Sequence, residues 1–362
     1  MNERIYIIWM NTIKDIPMSK LHALIEYFGG FKKVYCATKN DLMECGEIDE
    51  NTVKKLVKHK ELNLEAYAAS LEKGNIKTVT IYDEDYPKNL LETVHPPFAL
   101  HYRGECSRDM FDNALAVVGS RKATVNGLKN TFEISKGLSL CGITIISGLA
   151  NGVDTKAHEG ALKGRGKTVA VLGCGVDRCY PPENRSLYNE ILDNGGGVFS
   201  EYKLGAAPLP LHFPRRNRII SGMSLGVLVA EAAPKSGSLI TARFAIEQGR
   251  EVYALPGDMN NRNSKGTNLL IKDGAKLVLH TMDIIEDIFP MMEFSSVKTP
   301  NIQKNLSKDE KLLFDLVEKG YNTPDMIIVK SGLTSPEVSY ILTKMEIKKL
   351  VSKDRGCYHV IC

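Results

Sequence analysis

From Ala114 onward the chain alternates short apolar runs with longer amphipathic stretches. The runs Ala114–Val118, Ile143–Ser147, Thr168–Leu172, Val198–Ser200, Leu225–Ala230, Val252–Leu255 and Leu277–Leu279 are strand-length and predict strands. Between them, Val125–Leu140, Val153–Leu162, Asn184–Leu192 and Ser238–Gln248 are long enough for crossover helices. Alternating strand and helix requires right-handed crossovers on both sheet faces. Residues 113–289 are therefore expected to form an α/β domain, an extended Rossmann-like, doubly wound and mostly parallel sheet.

The flanks follow other periods. Leu21, Leu24, Ile25 and Phe28 recur at helical spacing, and Thr38–Asp41 has the form of a capping box, so residues 1–75 predict a small helical domain. Tyr82–Arg103, with Pro87, Pro96 and Pro97, reads as extended chain, which makes 76–112 a connector into the sheet. Residues 290–306 are polar and proline-punctuated and read as a linker. In 307–362, Ser307–Glu310 is a second capping box, Leu312, Leu313, Leu316 and Val317 form a stripe, and Gly320 stops the helix. A further helix begins near Ser335 and Pro336, and Leu350–Ile361 alternates around Gly356 like a hairpin. Three helices and a hairpin in this length resemble a winged helix, whose third helix often enters a DNA groove.

Composition narrows the class. The chain has 362 residues, 43% hydrophobic and 25% charged, enough to bury a core in two or three domains. The first ten residues carry no basic leader or cleavage site, and no apolar run approaches the roughly twenty residues that cross a bilayer. A cytoplasmic protein without a membrane partner is expected. Eight cysteines without a C-x-x-C pair imply reduced packing thiols and no metal site. The net charge of +4 is unevenly spread: −3 over residues 1–118, +7 over 119–250 and 0 over 251–362. The excess in the middle segment predicts an electropositive surface for a polyanion. Residues 301–362 carry only +2.

Two nucleotide motifs nearly match and fail. Gly160–Thr168 ends in Gly-Lys-Thr, but Ala161 stands where a P-loop needs glycine, and the segment precedes its strand instead of following it. Gly173-Cys-Gly175 opens like a dinucleotide fingerprint, but Arg178 occupies the third glycine position. No bound cofactor is expected.

Candidate chemistry lies in the loops at the carboxyl ends of the strands, where open α/β sheets place their ligands. Gly119-Ser120-Arg121 offers backbone N–H groups and a guanidinium. Gly148 and Asn151 lie in a glycine-rich turn open to close approach. Asn184 belongs to a third loop with Tyr180 and Arg185. Phe213-Pro-Arg-Arg216-Asn217-Arg218 is read as a fourth loop that sets guanidinium groups beside an aromatic ring, the pairing a single strand needs, although Phe213 is equally suited to a core. The loop arginines are expected to contribute contacts more than packing. Lys235 and Ser238, the latter read as an N-cap, lie in the last loop. Asp154, His158 and Glu231 form no constellation of nucleophile, base and orienter, so no catalytic residue is assigned.

These blocks together resemble the DNA processing protein A (DprA, or Smf) family: Val118–Arg121, Ser147–Asp154 with Ala157-His158, Gly173–Asp177 with Tyr180-Pro181 and Asn184, Phe213–Ile219, Glu231-Ala232 with Ser236–Ala242, and Pro256-Gly257. The resemblance implies a non-enzymatic recombination mediator that binds incoming single-stranded DNA, protects it and helps load the RecA recombinase during natural transformation. It also implies a SAM-like amino-terminal domain, a winged-helix tail and a homodimer. Arg121, Arg216 and Arg218 would then hold phosphates or base edges, Phe213 would lie near a base, and Lys235 would extend the rim. Leu269, Leu270 and Ile271, three consecutive apolar residues on a short helix, cannot all face one core and are expected at the dimer contact.

An alternative is a nucleotide-binding Rossmann-like enzyme or sensor, similar to the phosphoribohydrolases. Those proteins carry a Pro-Gly-Gly-x-Gly-Thr-x-x-Glu loop, whereas the comparable segment here is Ala233-Pro-Lys-Ser-Gly-Ser-Leu-Ile-Thr and lacks the glutamate.

Overall fold

The short apolar runs become the centre of a nine-stranded sheet in the computed structural model, which describes residues 3–288, 306–318, 320–348, 350–354 and 357–360. The strands are β1 (Lys77–Thr80), β2 (Ala99–Gly104), β3 (Ala114–Val118), β4 (Thr144–Ser147), β5 (Thr168–Val171), β6 (Gly197–Ser200), β7 (Gly226–Val229), β8 (Glu251–Ala254) and β9 (Lys276–Leu277). They lie in the order β1-β2-β6-β5-β4-β3-β7-β8-β9. From β6 to β9 all neighbours are parallel, while β1 and β2 add antiparallel to the β6 side. Every residue of β3, β4, β5 and β7 is buried, as a sheet covered on both faces requires. The fold is thus mixed α/β and mostly parallel. The order reverses between β3 and β7, and the loops that leave those two strands diverge there.

The segment read as a connector is corrected by the structure: it contributes β1 and β2 to the sheet itself. Its prolines sit between the two strands instead of inside them, so they interrupt the pattern without preventing pairing. Tyr86 is buried there, its hydroxyl donating to Pro97 O at 2.6 Å.

Six helices precede the sheet: Glu3–Thr12, Met18–Phe28, Phe31–Cys36, Lys39–Glu44, Glu50–His59 and Leu64–Lys73. The Thr38/Asp41 capping box is present, with Asp41 N donating to Thr38 Oγ1 (3.2 Å) and Thr38 N to Asp41 Oδ2 (2.7 Å). Trp9, Met10, Leu21, Leu24 and Phe31 pack with Phe98 and Ala99 of the sheet extension, so helices and sheet share one core. The chain divides near residue 292 into two compact units, and these six helices fall with the sheet.

The second unit holds the helices Lys308–Glu318, Pro324–Ser331 and Ser335–Ile347 and the antiparallel pair β10 (Val351–Asp354) and β11 (Cys357–Val360). Ser307 and Glu310 cap reciprocally. Leu313, Val317, Ile327, Val338, Leu342 and Met345 form its core. Of the linker assigned to 290–306, residues 290–305 lie outside the described residues, as does the hairpin turn at Gly356. Among the described residues no helix is long and apolar enough to cross a membrane, and the cysteines are free.

Candidate nucleic-acid interface

Where the strand order reverses, the loops after β3 and β7 enclose a groove of about 740 Å³, the position at which open α/β sheets receive ligands. Ser120 N donates to Glu231 O at 2.7 Å, which fastens the β3 loop to the end of β7. Buried Glu231 also accepts from Thr124 N at 2.7 Å, and Thr124 caps the helix Val125–Leu140. Gly119 and Gly152 are required by packing: a Cβ on the first would meet Val153 Cγ2 at 2.6 Å, and on the second Ser120 O at 2.4 Å, with Gly152 at φ +85°. Glu231, without an assigned role in the sequence, is thus a brace that fixes where Arg121 emerges.

The fourth loop is in fact a helix, His212–Gly222. Pro214 sits in its first turn, where the missing N–H has no intrahelical acceptor to lose. The helix sorts its arginines by face, because residues two apart point about 200° apart. Arg216 is 3% exposed and turns inward, donating to Gly148 O at 2.8 Å, to Val171 O, and through Nε to Asn217 Oδ1 at 3.2 Å. Burial pulls its pKa down, against the opposing pull of Asp154. Asp154 is pushed up by burial, against Arg216 and the amides of Ala150 and Gly148 that it accepts from. Arg216 is therefore packed into the floor of the groove, which corrects the expectation of a loop contact. Arg218 points away, pairing with Glu201 at 2.7 Å, and does not line the groove.

Above this floor, the Arg121 guanidinium lies 5.3 Å from the Phe213 ring centroid, and Tyr180 stands 5.5 Å from Phe213 with the planes 35° apart. Phe213 is half-buried and lines the groove, resting on Gly173, where a Cβ would meet the ring at 2.9 Å. Arg121, Lys122, Lys235 and Arg262 line the same groove as these rings; all are exposed, and none forms an ion pair among the described residues. Asp154 is the one carboxylate among the lining residues.

Of the residues singled out in the sequence, the groove brings together Gly119, Ser120, Arg121, Phe213, Arg216, Asn217, Lys235 and Ser238. Gly148 lies beneath it, against Arg216. Asn184 is buried and donates to Leu149 O (2.8 Å) and Thr155 Oγ1 (2.9 Å), holding the β4 loop from outside the groove. Asn151 does not line it either. Ser238 is not the N-cap; Gly237 holds that position and makes no side-chain cap, while Ser238 Oγ contacts Ser236 Oγ at 2.8 Å. Sequence reasoning left out Lys122, Tyr180, Arg262 and Asn263. Lys122 follows Arg121 directly, and Tyr180 belongs to one of the family-like blocks, so both had a signal. Asn263, which donates to Lys122 O at 2.7 Å, comes from a polar loop with none.

Fold and groove together define a mixed α/β protein with a cationic, ring-lined cleft at the reversal of its strand order. The chain belongs to the family described as DNA recombination-mediator protein A, whose sequence profile matches residues 77–289. It is 39% identical over 303 residues to the protein Smf of Escherichia coli strain K12, covering 82% of this chain and 80% of that one. With the DNA processing protein DprA of Streptococcus pneumoniae it shares 43% over 218 residues, 60% of this chain and 76% of that one. Among solved structures, DprA from Streptococcus pneumoniae superposes with a TM-score of 0.67 at 35% identity, over 80% of this chain and 98% of that one. DprA from Helicobacter pylori, whose structure addresses the single-stranded DNA binding mode of that protein, superposes at 0.53 with 30% identity, over 59% and 96%.

Proposed function

We propose that this chain binds single-stranded DNA in the groove, protects incoming strands and passes them to the RecA recombinase during natural transformation, as a cytoplasmic homodimer that catalyses no reaction. The observation that carries the reading is the ring pair Phe213–Tyr180 in one groove with Arg121, Lys122, Lys235 and Arg262, exposed cations that form no ion pair among the described residues. Unpaired cations attract phosphates, and rings accept any base by stacking, at roughly 1–3 kcal/mol per base. A duplex keeps its bases stacked inside and gains nothing from the rings. The DprA relative with a described single-stranded DNA binding mode supports the same assignment. On this reading Gly119 offers a backbone N–H group, Ser120 lines the groove with its own N–H held by Glu231 O, Arg216 shapes the floor, residues 1–75 form a SAM-like domain, and 307–362 form a winged helix that modulates partner choice.

Dimerisation is assigned to the helix Lys265–Lys272. Leu269 is 48% exposed there, Leu270 packs against the sheet core and Ile271 is half-buried. An exposed leucine at the β9 side of the sheet favours a self-complementary contact. A dimer would place two grooves on one strand and raise apparent affinity.

The test is a titration of labelled oligothymidylate and of duplex DNA at several salt concentrations. Single strands should bind more tightly, with a log-log salt slope of about −0.7 per phosphate contacted. Equal affinity for duplex, or indifference to salt, would discard the groove as the site. Release of a base from nucleoside monophosphates would favour an enzyme instead.

A further inference from the structure

The helix His212–Gly222 has a second basic face that the groove does not use. Arg215 and Arg218 stand about 60° apart on the helix and well away from Arg216. Together with Lys14 they line a separate cavity of about 300 Å³ between the first two helices and the end of β6. Glu201 is buried at its base and contacts both Lys14 Nζ (3.1 Å) and Arg218 Nη2 (2.7 Å). Arg215 donates to Lys14 O at 2.9 Å, is exposed, and forms no ion pair among the described residues. Asp15, also on the rim, is engaged by His59 Nε2 at 2.7 Å. Lys14 and Arg218 thus share Glu201 while Arg215 has no ion pair, so three cations face the two carboxylates of Glu201 and Asp15.

Burial disfavours the charged form of Glu201, yet Arg218 and Lys14 outweigh it and hold the carboxyl below its ordinary value. Glu201 is therefore ionised at neutral pH, as is Asp15, and the two offset two of the three positive charges, leaving an excess of one at the cavity. Lys14 tells the same story from the other side: burial lowers its pKa against the pull of Glu201, with Arg218 and Arg215 adding to the lowering. Like charges held this close are relieved by a bound anion.

We propose that Lys14, Arg215 and Arg218 form a second phosphate site that takes a backbone phosphate of the same single strand lying in the groove. The inference rests on the groove reading and extends it: one helix, about 10 Å across with its side chains, carries both sites on different faces, a span of a few nucleotides. Phosphate suits the cluster better than a base. The forked guanidiniums match tetrahedral oxyanions, and the aromatic ring at this cavity, Tyr202, is buried and already stacked on His212 at 4.1 Å.

The experiment compares oligothymidylates of about 2 nucleotides, too short to reach from the groove across the helix, and of about 20 nucleotides, on wild type, Arg215→Glu and Lys14→Gln. Arg215 is exposed and keeps the fold testable where Lys14→Gln perturbs the Glu201 network. Wild-type affinity for the short strand should be retained in both variants, while the long strand binds about fivefold more weakly and its salt slope becomes shallower by about 0.7 for each phosphate left without its cation. Unchanged affinity for the long strand in folded Arg215→Glu would overturn the second site. An equal loss on both lengths would overturn it too, because the cluster would then act on the groove. If wild type binds neither length, the groove reading itself falls and takes this site with it. Loss of an aspartate-rich peptide, with DNA binding intact, would reassign the cavity to an acidic protein segment.

Discussion

Gly148 and Arg216 lie so close that a Cβ on the glycine would stand 2.5 Å from the Arg216 guanidinium, while Gly148 O accepts from Nη1 at 2.8 Å. A glycine that reads in the sequence as room for a ligand is room for the protein's own arginine. The groove floor is built on that contact.

Gly148→Ala should therefore displace Arg216 and cost about 1–3 kcal/mol, the range of overpacking in a filled interior. Arg216→Ala should cost about 3 kcal/mol or more, since it leaves Asp154 buried without its cation and Gly148 O without that donor. Urea unfolding at neutral pH measures both. Arg216→Ala with wild-type stability would show that the guanidinium is peripheral.

Arg121 and Phe213 separate charge from stacking. Arg121→Ala should weaken oligothymidylate about tenfold and flatten its salt dependence, with stability little changed, because the side chain is exposed and lies over the ring without an ion pair among the described residues. Phe213→Leu should weaken binding by about 1–3 kcal/mol with the salt slope intact. Anisotropy titrations at two salt concentrations distinguish the two, and a salt-slope change for Phe213→Leu would contradict this division.

Glu310 should make the second unit acid-sensitive. Its carboxylate accepts from Lys348 Nζ (2.7 Å) and Ser307 N (2.9 Å), with Lys344 at 3.3 Å, and these hold its pKa down to about 2 from 4.5. A depressed carboxylate stabilises the fold fully above its unfolded pKa, and the contribution drains away as pH falls from 4.5 towards 2. Glu310→Gln should be less stable than wild type by about 1 kcal/mol at neutral pH, a modest value because both lysines are partly solvated. The difference should vanish near the acid limit. Unfolding of the full chain followed by circular dichroism across this range checks it.

Leu269→Arg should convert a dimer to a monomer without lowering thermal stability, since the leucine is exposed in one chain. Leu270→Arg should destabilise the fold, because that residue packs on the sheet core. Light scattering and thermal melts measure the two, and a dimer that survives Leu269→Arg would move the interface elsewhere.

The strands and crossover helices were legible because their periods follow from which faces are buried: apolar runs at 114–118, 144–147, 168–171 and 226–229 lie in the sheet where burial on both sides demands them. Caps at Thr38 and Ser307 were legible for the same reason, being local hydrogen-bond chemistry over three residues. The candidate site was legible as a set of loops and as a charge excess. What the sequence could not assign was direction. Whether Pro214 breaks a helix or opens one depends on its position in the turn, and which of Arg215, Arg216 and Arg218 enters the groove depends on a helix phase that only packing sets. The strands at 77–80 and 99–104 likewise needed β6 as a partner, since a strand's hydrogen bonds belong to its neighbour and not to itself. Local periodicity thus determined the elements of this protein, and long-range pairing decided which of its cations face solvent in the groove and which are held inside.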